Sequence, residues 1–380
     1  GVSIAPCTFL IKYFIKKSRG LTPLERGYFL LFSIPSVWTV YEYIRGSAPL
    51  LRVAGGGLYS HTQIYNVPVL QVASVFGNYG VTFLIILFNT ALFLLFLPPV
   101  RHKKKYFPVV LCVGMVFLVI MAAGWIRGHK EYHDYPSMKI SLLQPNVSLK
   151  QFNEAERFAE DANQAREPAS IQVTQILVDM ITEAAADKPD LIVLPERSFP
   201  SSLSGSTRTE SVALMYDTVR RVRIPVLVGA LYEPTPFKTF NSAYFLSSEG
   251  SIIDRYDKMV LYPFGEYIPG GYMLEKIMND LNVHKRFPFV FKHQYRFDHF
   301  SLARYLRVDW LNAGSTPVVF THPDGVRFSV PICVEDVFPE LCREFVRRGA
   351  KLIIMITNEK KKKKTALTDH HFGSSVYRAV

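Results

Sequence analysis

Three short segments each close an apolar run with a side chain that can do chemistry: Leu191-Ile-Val-Leu-Pro-Glu196, Arg255-Tyr-Asp-Lys258 and Val330-Pro-Ile-Cys333-Val-Glu335. Strand ends are where α/β folds place functional groups. Taken singly, each residue has a structural explanation. A cysteine in an apolar run is commonly core, a lysine after a strand is commonly solvated, and a glutamate after proline commonly makes a turn. Together they form a complete set. Amide or ester chemistry through a covalent intermediate needs a nucleophile, a base that takes and returns its proton, and a cation facing the oxyanion. Cysteine, glutamate and lysine supply these three. The stretch 336–348 after Cys333 reads as one helix opening with acidic residues and Pro339, which puts the thiol near a helix N-terminus and favours the thiolate. Cys342 falls within that helix as a packing residue.

The elements that must hold these side chains follow from Met138 onward, where short apolar strands alternate with helices in the manner of an α/β domain. Candidate strands are Lys139–Leu143, Leu191–Leu194, Pro225–Val228, Ser242–Leu246, Ser251–Arg255, Arg327–Ile332 and Lys351–Ile356. A helix over Ser170–Ala186 gathers Val173, Ile176, Leu177, Met180, Ile181 and Ala184 on one face, as packing against a sheet requires. The strands either side of Ser248 and Gly250 read as a hairpin that delivers Lys258 to the far end of the second strand. Gln151–Glu167 is too polar for core and reads as a mobile cover or a solvated helix.

The first third of the chain is of another kind. No charge occurs between Val67 and Val100, and Tyr79–Leu97 is long enough for a helix to cross about 30 Å of hydrocarbon. Tyr106–Ile126 is a second such stretch, and Tyr28–Ile44 a weaker third, interrupted by Pro35 and Glu42. Residues 1–15 read as the tail of an earlier span, with Cys7 and Cys112 in lipid-facing runs. Apolar residues make up 49% of the chain and charged ones 20%, so a mean hydropathy of +0.12 averages two unlike halves. The net charge of +12 sits in short clusters beside apolar runs and in one late lysine tract, a pattern of membrane topology rather than of nucleic-acid binding. Lys16, Lys17, Arg19 and Arg26 flank one connection and Arg101, Lys103, Lys104 and Lys105 another, which makes both cytoplasmic and everything after Trp125 extracytoplasmic. The four cysteines have neither zinc spacing nor a disulfide framework, and Asp369, His370 and His371 lack a further ligand cluster, so no metal or cofactor is expected. The chain opens on Gly and stops at Val380 inside a helical pattern, and a fragment is expected.

The order Glu196, Lys258, Cys333, with these surroundings, resembles the nitrilase superfamily over residues 138–380. Within it, Lys258-Met-Val-Leu-Tyr-Pro-Phe-Gly-Glu-Tyr-Ile-Pro269 is similar to the lysine segment of the apolipoprotein N-acyltransferases, as is the presence of a preceding membrane half. Gln71-Val-Ala-Ser-Val-Phe-Gly-Asn-Tyr-Gly-Val-Thr-Phe-Leu84 resembles that family's loop entering a late span. The resemblance implies transmembrane α-helices over 1–130 followed by an α/β nitrilase-like domain, an α-β-β-α sandwich, over 131–380. It implies Glu196 as general base, Lys258 as oxyanion stabiliser and Cys333 as the thioester-forming nucleophile. Glu266 then orients the lysine, Glu335 lies near the thiol, and Asn241 is a structural asparagine at a strand start. The implied partners are a phospholipid acyl donor and the α-amine of a diacylglyceryl-cysteine apolipoprotein acceptor. The implied location is the bacterial inner membrane, multi-pass, with catalysis on the periplasmic face.

Two departures stand out. Val334 follows the cysteine where the family often has an aromatic residue, and after Asn358 the chain has Glu359 and five lysines, Lys360–Lys364, in place of an acidic, Trp-containing loop. A membrane-tethered amidase that gives its thioester to water, and a non-catalytic scaffold, remain alternatives to acyl transfer at this level.

Overall fold

The computed structural model describes residues 5–47, 58–96, 103–129, 137–147, 163–204, 209–235, 238–286, 311–358 and 366–379. The Lys360–Lys364 tract, Arg101 and the polar stretch over 151–162 lie outside the described residues. Two compact units emerge: Gly1–Tyr135 together with Ala366–Val380, and Pro136–Thr365. The last helix thus groups with the helical unit, whereas the sequence boundaries had put it with the second domain.

The first unit is built from α1 (Ala5–Lys17), α2 (Pro23–Ser47), the short α3 (Val67–Leu70), α4 (Ala73–Phe96), α5 (Lys103–Gly128) and the last helix, Ala366–Ala379. Leu30, Leu31 and Ile34 of α2 pack with Ala91 and Leu94 of α4 and Tyr106 and Val109 of α5. Two helical stretches, Ala73–Phe96 and Tyr106–Gly128, are long and apolar enough to cross a membrane. The charge that interrupts α2 is turned inward: Glu42 is buried and accepts Trp38 Nε1 at 3.3 Å, Tyr59 N at 3.0 Å and Thr82 Oγ1 at 2.8 Å. A carboxylate so placed is tolerable in an apolar unit because its lone pairs are used. Cys7 is buried inside the helix packing, contrary to the outward position expected of it, while Cys112 is exposed as expected. Tyr377 of the last helix donates to the Ser60 carbonyl at 2.6 Å.

The second unit has a five-stranded sheet in the order β1 (Ile140–Leu142), β2 (Leu191–Val193), β3 (Val226–Thr235), β4 (Lys238–Leu246), β5 (Ile252–Asp257). The first three are parallel and the last two antiparallel steps. Two reversals return β5 to the direction of β2, so Glu196 and Lys258 leave the same edge of the sheet. Side chains alternate across it, as the two-residue period of a strand demands. Ile192, Val226, Val228, Ala230, Tyr244 and Leu246 meet α6 (Asn163–Ala185) and α7 (Glu210–Val222). Leu191, Val193, Leu227, Ala243, Phe245 and Tyr256 point the other way. There they meet Phe320, Phe328, Val330 and Ile332 from a second sheet of β6 (Phe320–Thr321), β7 (Arg327–Ser329) and β8 (Leu352–Ile353). The amphipathic face read from 170–186 is the packed face of α6, whose Val173, Leu177 and Ile181 are buried.

Helix α8 (Gly271–Asp280) follows the Lys258 segment, and α9 (Pro339–Arg347) carries the chain from β7 to its parallel neighbour β8. The single helix expected over 336–348 is in fact two pieces: a 3-10 turn, Cys333–Val337, and then α9. Proline cannot donate an interior helical hydrogen bond, and it pushes the residue before it to extended backbone. Phe338, at φ −96° and ψ 99°, is where the break falls. α9 buries Cys342 and Phe345, in keeping with a packing role for that cysteine.

Candidate active site

Each sequence-selected residue sits just beyond a strand, on backbone that the strand alone would not dictate. Glu196 lies in the turn after β2, which rests on β3 at Gly229: Phe199 N donates to the Gly229 carbonyl at 3.1 Å. A Cβ at Gly229 would collide with the Pro195 carbonyl and stand 2.7 Å from Glu196 Cα, so only glycine lets the turn lie this close. Lys258 follows β5, its N–H bonded to the Asn241 carbonyl of β4 at 2.8 Å. Cys333 starts the 3-10 turn after β7, and its N–H donates to the Ile356 carbonyl at 2.9 Å. Three non-glycine residues here have left-handed backbone: Arg197 (φ 47°), Phe264 (φ 60°) and Cys333 (φ 52°). Such conformations persist where surrounding contacts over-determine them, and they cluster at functional sites.

The side chains converge. Lys258 Nζ, fully buried, lies 2.8 Å from Glu266 Oε1 and 3.3 Å from Glu196 Oε1. Asn241 Nδ2 joins the same two oxygens, at 2.7 Å from Glu196 and 3.0 Å from Glu266. The second oxygen of Glu196 accepts Asn358 N at 3.1 Å, and that of Glu266 accepts Tyr262 N at 2.7 Å. Burial alone raises the Glu196 carboxyl, but the Lys258 ammonium and the Asn241 amide outweigh it and hold the group below the ordinary carboxylate range. Burial likewise opposes the Lys258 charge, and Glu196, the Cys333 thiol and Glu266 overcome it, so the lysine stays cationic well above its usual range. Cys333 is half-buried, and burial followed by the Glu196 charge pushes its thiol up to about 12 against the pull of Lys258 and a hydrogen bond from Thr357.

This last point corrects the sequence expectation of a favoured thiolate. Cys333 stands on a 3-10 turn, not at the start of an α-helix, and burial first, then the Glu196 charge, oppose the thiolate. At neutral pH the group is a thiol, so its reactivity depends on a base. Glu196 is ionised and near enough to act on it electrostatically. The set therefore has the parts for covalent acyl chemistry: a thiol, an ionised carboxylate and a fixed cation.

The described hydrogen bonds of Glu335 go to other groups than the thiol. It is fully buried, and Oε1 accepts Tyr256 Oη at 2.8 Å, Met259 N at 2.7 Å and Val260 N at 3.0 Å, while Oε2 accepts Ile332 N at 2.8 Å. It thus fastens the residues after Lys258 to the residue before Cys333. Asn358, Thr357 and Tyr256 were missed by sequence reasoning. The first two follow Ile356 at the end of a predicted strand, and that position was the available signal.

The family-level comparison agrees with this geometry. Residues 164–380 match the model for the carbon-nitrogen hydrolases. The chain belongs to the carbon-nitrogen hydrolase family. Residues 2–91 match the model for the apolipoprotein N-acyltransferase N-terminal domain. Among curated relatives, the apolipoprotein N-acyltransferase of Geobacter metallireducens is 30% identical over 363 residues, covering 94% of this chain and 61% of that protein. That of Aquifex aeolicus is 25% identical over 357 residues, covering 93% of this chain and 67% of that protein. The chain therefore spans about three fifths to two thirds of these relatives. Among solved structures, an amidase from Nesterenkonia sp. matches at 14% identity over 58% of this chain and 64% of that one, with a TM-score of 0.36, too low for comparing sites.

Proposed function

We propose that this chain is a membrane-embedded lipoprotein N-acyltransferase. It would move a fatty acyl group from a phospholipid, through a thioester on Cys333, to the α-amine of a diacylglyceryl-cysteine apolipoprotein. The observation that carries this reading is the buried Glu196–Lys258–Glu266 cluster beside Cys333, in a chain whose N-terminal part matches the acyltransferase helical domain. Two further features support a lipid substrate. Helices α4 and α5 are of membrane-spanning length, with outward apolar residues such as Leu118 and Val119. Around and after Glu266, the segment exposes Phe264, Tyr272, Met273 and Ile277, with Tyr272 78% exposed, a surface suited to acyl chains rather than to water.

In the first half-reaction the Sγ–H proton passes to Glu196 and the sulfur attacks the ester carbonyl, its oxyanion facing Lys258. The C–O bond breaks and Glu196 returns the proton to the glycerol oxygen of the departing lysophospholipid. In the second, the lipoprotein amine attacks the thioester, Glu196 takes the amine proton, the C–S bond breaks, and the proton restores the thiol. A thioester is a good acyl donor to an amine, and apolar surroundings limit its loss to water.

Intact mass spectrometry of the detergent-purified chain after incubation with phosphatidylethanolamine tests the first half. A hydroxylamine-labile fatty-acyl adduct is expected on wild type and on Cys342→Ala, and none on Cys333→Ala. No adduct on a folded wild-type chain, or an adduct that survives Cys333→Ala, overturns the reading.

A further inference from the structure

Asn241 is fully buried, and both its amide hydrogens go to carboxylates of the site, one to Glu196 and one to Glu266. The same two oxygens share a single ammonium, that of Lys258. Two carboxylates thus stand side by side on one ammonium, with the Arg197 charge acting on Glu196 as well. Like charges so close normally drive a proton onto one of the pair. A protonated Glu196 cannot take the Cys333 proton.

A neutral amide donor favours the ionised form of Glu196 and leaves the net charge of the site unchanged. The other end of the side chain shows which end matters: Asn241 Oδ1 is buried and finds no partner among the described residues. Leaving a buried acceptor unmatched is costly, and the fold tolerates it here while both donors are aimed. Since carboxylate oxygens can only accept, the amide orientation follows from the chemistry of its neighbours. The backbone of Asn241 is fixed as well, because its carbonyl receives the Lys258 N–H and so registers β4 against the lysine.

We propose that Asn241 is a positioning residue for the base: its two N–H groups hold Glu196 and Glu266 side by side around Lys258, so that Glu196 stays aimed and available to the Cys333 thiol. This rests on the reading of Glu196 as the base. The step served is a proton transfer in which the S–H bond breaks and an O–H bond forms on Glu196. The charged and titratable groups facing Glu196 are Lys258, Arg197, Cys333 and Glu266, and all of them remain when Asn241 is replaced. Direction supports the idea, since the Asn241 hydrogen bond is among the causes that hold Glu196 low.

The test is the pH dependence of Cys333 alkylation by iodoacetamide on the purified full chain, read on the Cys333 peptide by mass spectrometry. It needs no acyl donor, so it judges the base–thiol pair separately from the acyltransferase reading. Wild type should lose reactivity as pH falls through the titration of the base. Without the amide donors that acid limb moves to higher pH, by about one unit in Asn241→Ala and by more in Asn241→Asp, which adds a third carboxylate. Asn241→Ser, which can give one hydrogen bond, should shift it less. Limbs coincident with wild type in these variants, whether or not the melting temperature falls, overturn the proposal. Should the alanine and aspartate variants not fold, the serine variant decides: an unmoved limb overturns the proposal and a partial upward shift supports it. A shifted limb in a protein that never forms an acyl adduct would leave this inference standing and the acyltransferase reading refuted.

Discussion

One carboxylate, that of Glu335, joins the lysine-bearing strand end to the cysteine-bearing turn through four donors, three of them on one oxygen. Burial nevertheless pushes it up to about 7, from an ordinary 4.5, since complete burial outweighs the backbone hydrogen bonds and the Lys258 charge. The folded state then binds a proton that the unfolded chain has released. Stability from this group is full below pH 4.5 and is lost as pH rises through about 7. A shift of this size corresponds to roughly 3 kcal/mol across that window. In Glu335→Gln, which cannot titrate, the melting temperature should be lower at acid pH and this fall between pH 5 and 8 should be absent. Equal slopes for the two proteins would show that the carboxylate is already ionised in the fold. The family resemblance implied a place for Glu335 near the thiol. Its actual partners are Tyr256, Met259 and Val260, more than seventy residues distant along the chain, and no local pattern encodes them.

At the level of elements, what sequence made legible was whatever repeats with a period. The apolar runs at 191–194, 225–228 and 242–246 are strands because their alternate residues are buried on two opposite faces, and the 170–186 face is a helix face for the analogous reason. Strand β6 was not legible: two residues, Phe320 and Thr321, have no period to read. Nor was the break at Phe338, where a charge-rich start masked the stronger effect of Pro339. For the site, residue types and order pointed to Glu196, Lys258 and Cys333, but the left-handed backbone at Arg197 and Cys333 and the sharing of donors by Asn241 depend on tertiary contact. Gly229 is the clearest of these hidden constraints. In Gly229→Ala the new methyl must displace the Glu196 turn, because the atoms it meets are backbone of Pro195 and Glu196 rather than a flexible side-chain end. Overpacking of this kind costs about 1–3 kcal/mol. The displacement acts on the base, so we expect the rate of Cys333 acylation to fall by tenfold or more, on the order of 1.4 kcal/mol or beyond in barrier, in protein that still folds. A variant that is destabilised yet acylates at the wild-type rate would mean that Glu196 is not placed by this contact.

At the scale of the whole molecule the proposed reaction turns on sidedness. If α1, α2, α4 and α5 each cross a bilayer, the turn at Ser18–Gly20 and the connection before α5 share one side, and the second unit emerges on the other. Lys16, Lys17 and Arg19 at the first turn, with Lys103–Lys105 at the second connection, are the basis on which we propose that side as the cytoplasmic one. Among the described residues only α4 and α5 meet the length and hydropathy of a span unaided, while α2 carries Glu42 inside the unit, so the count of crossings rests on α1 and α2 pairing with them. Impermeant maleimide labelling of single engineered cysteines in intact bacterial cells, with outer-membrane access provided, separates the possibilities. Arg19→Cys should be protected until the inner membrane is opened, and Glu249→Cys, on the exposed hairpin between β4 and β5, should label at once. Both protected would mean an even number of crossings between them and a second unit on the cytoplasmic side. In that case the acceptor amine of an exported lipoprotein could not reach Cys333, and the acyl-transfer reading would have to give way to chemistry on a cytoplasmic substrate.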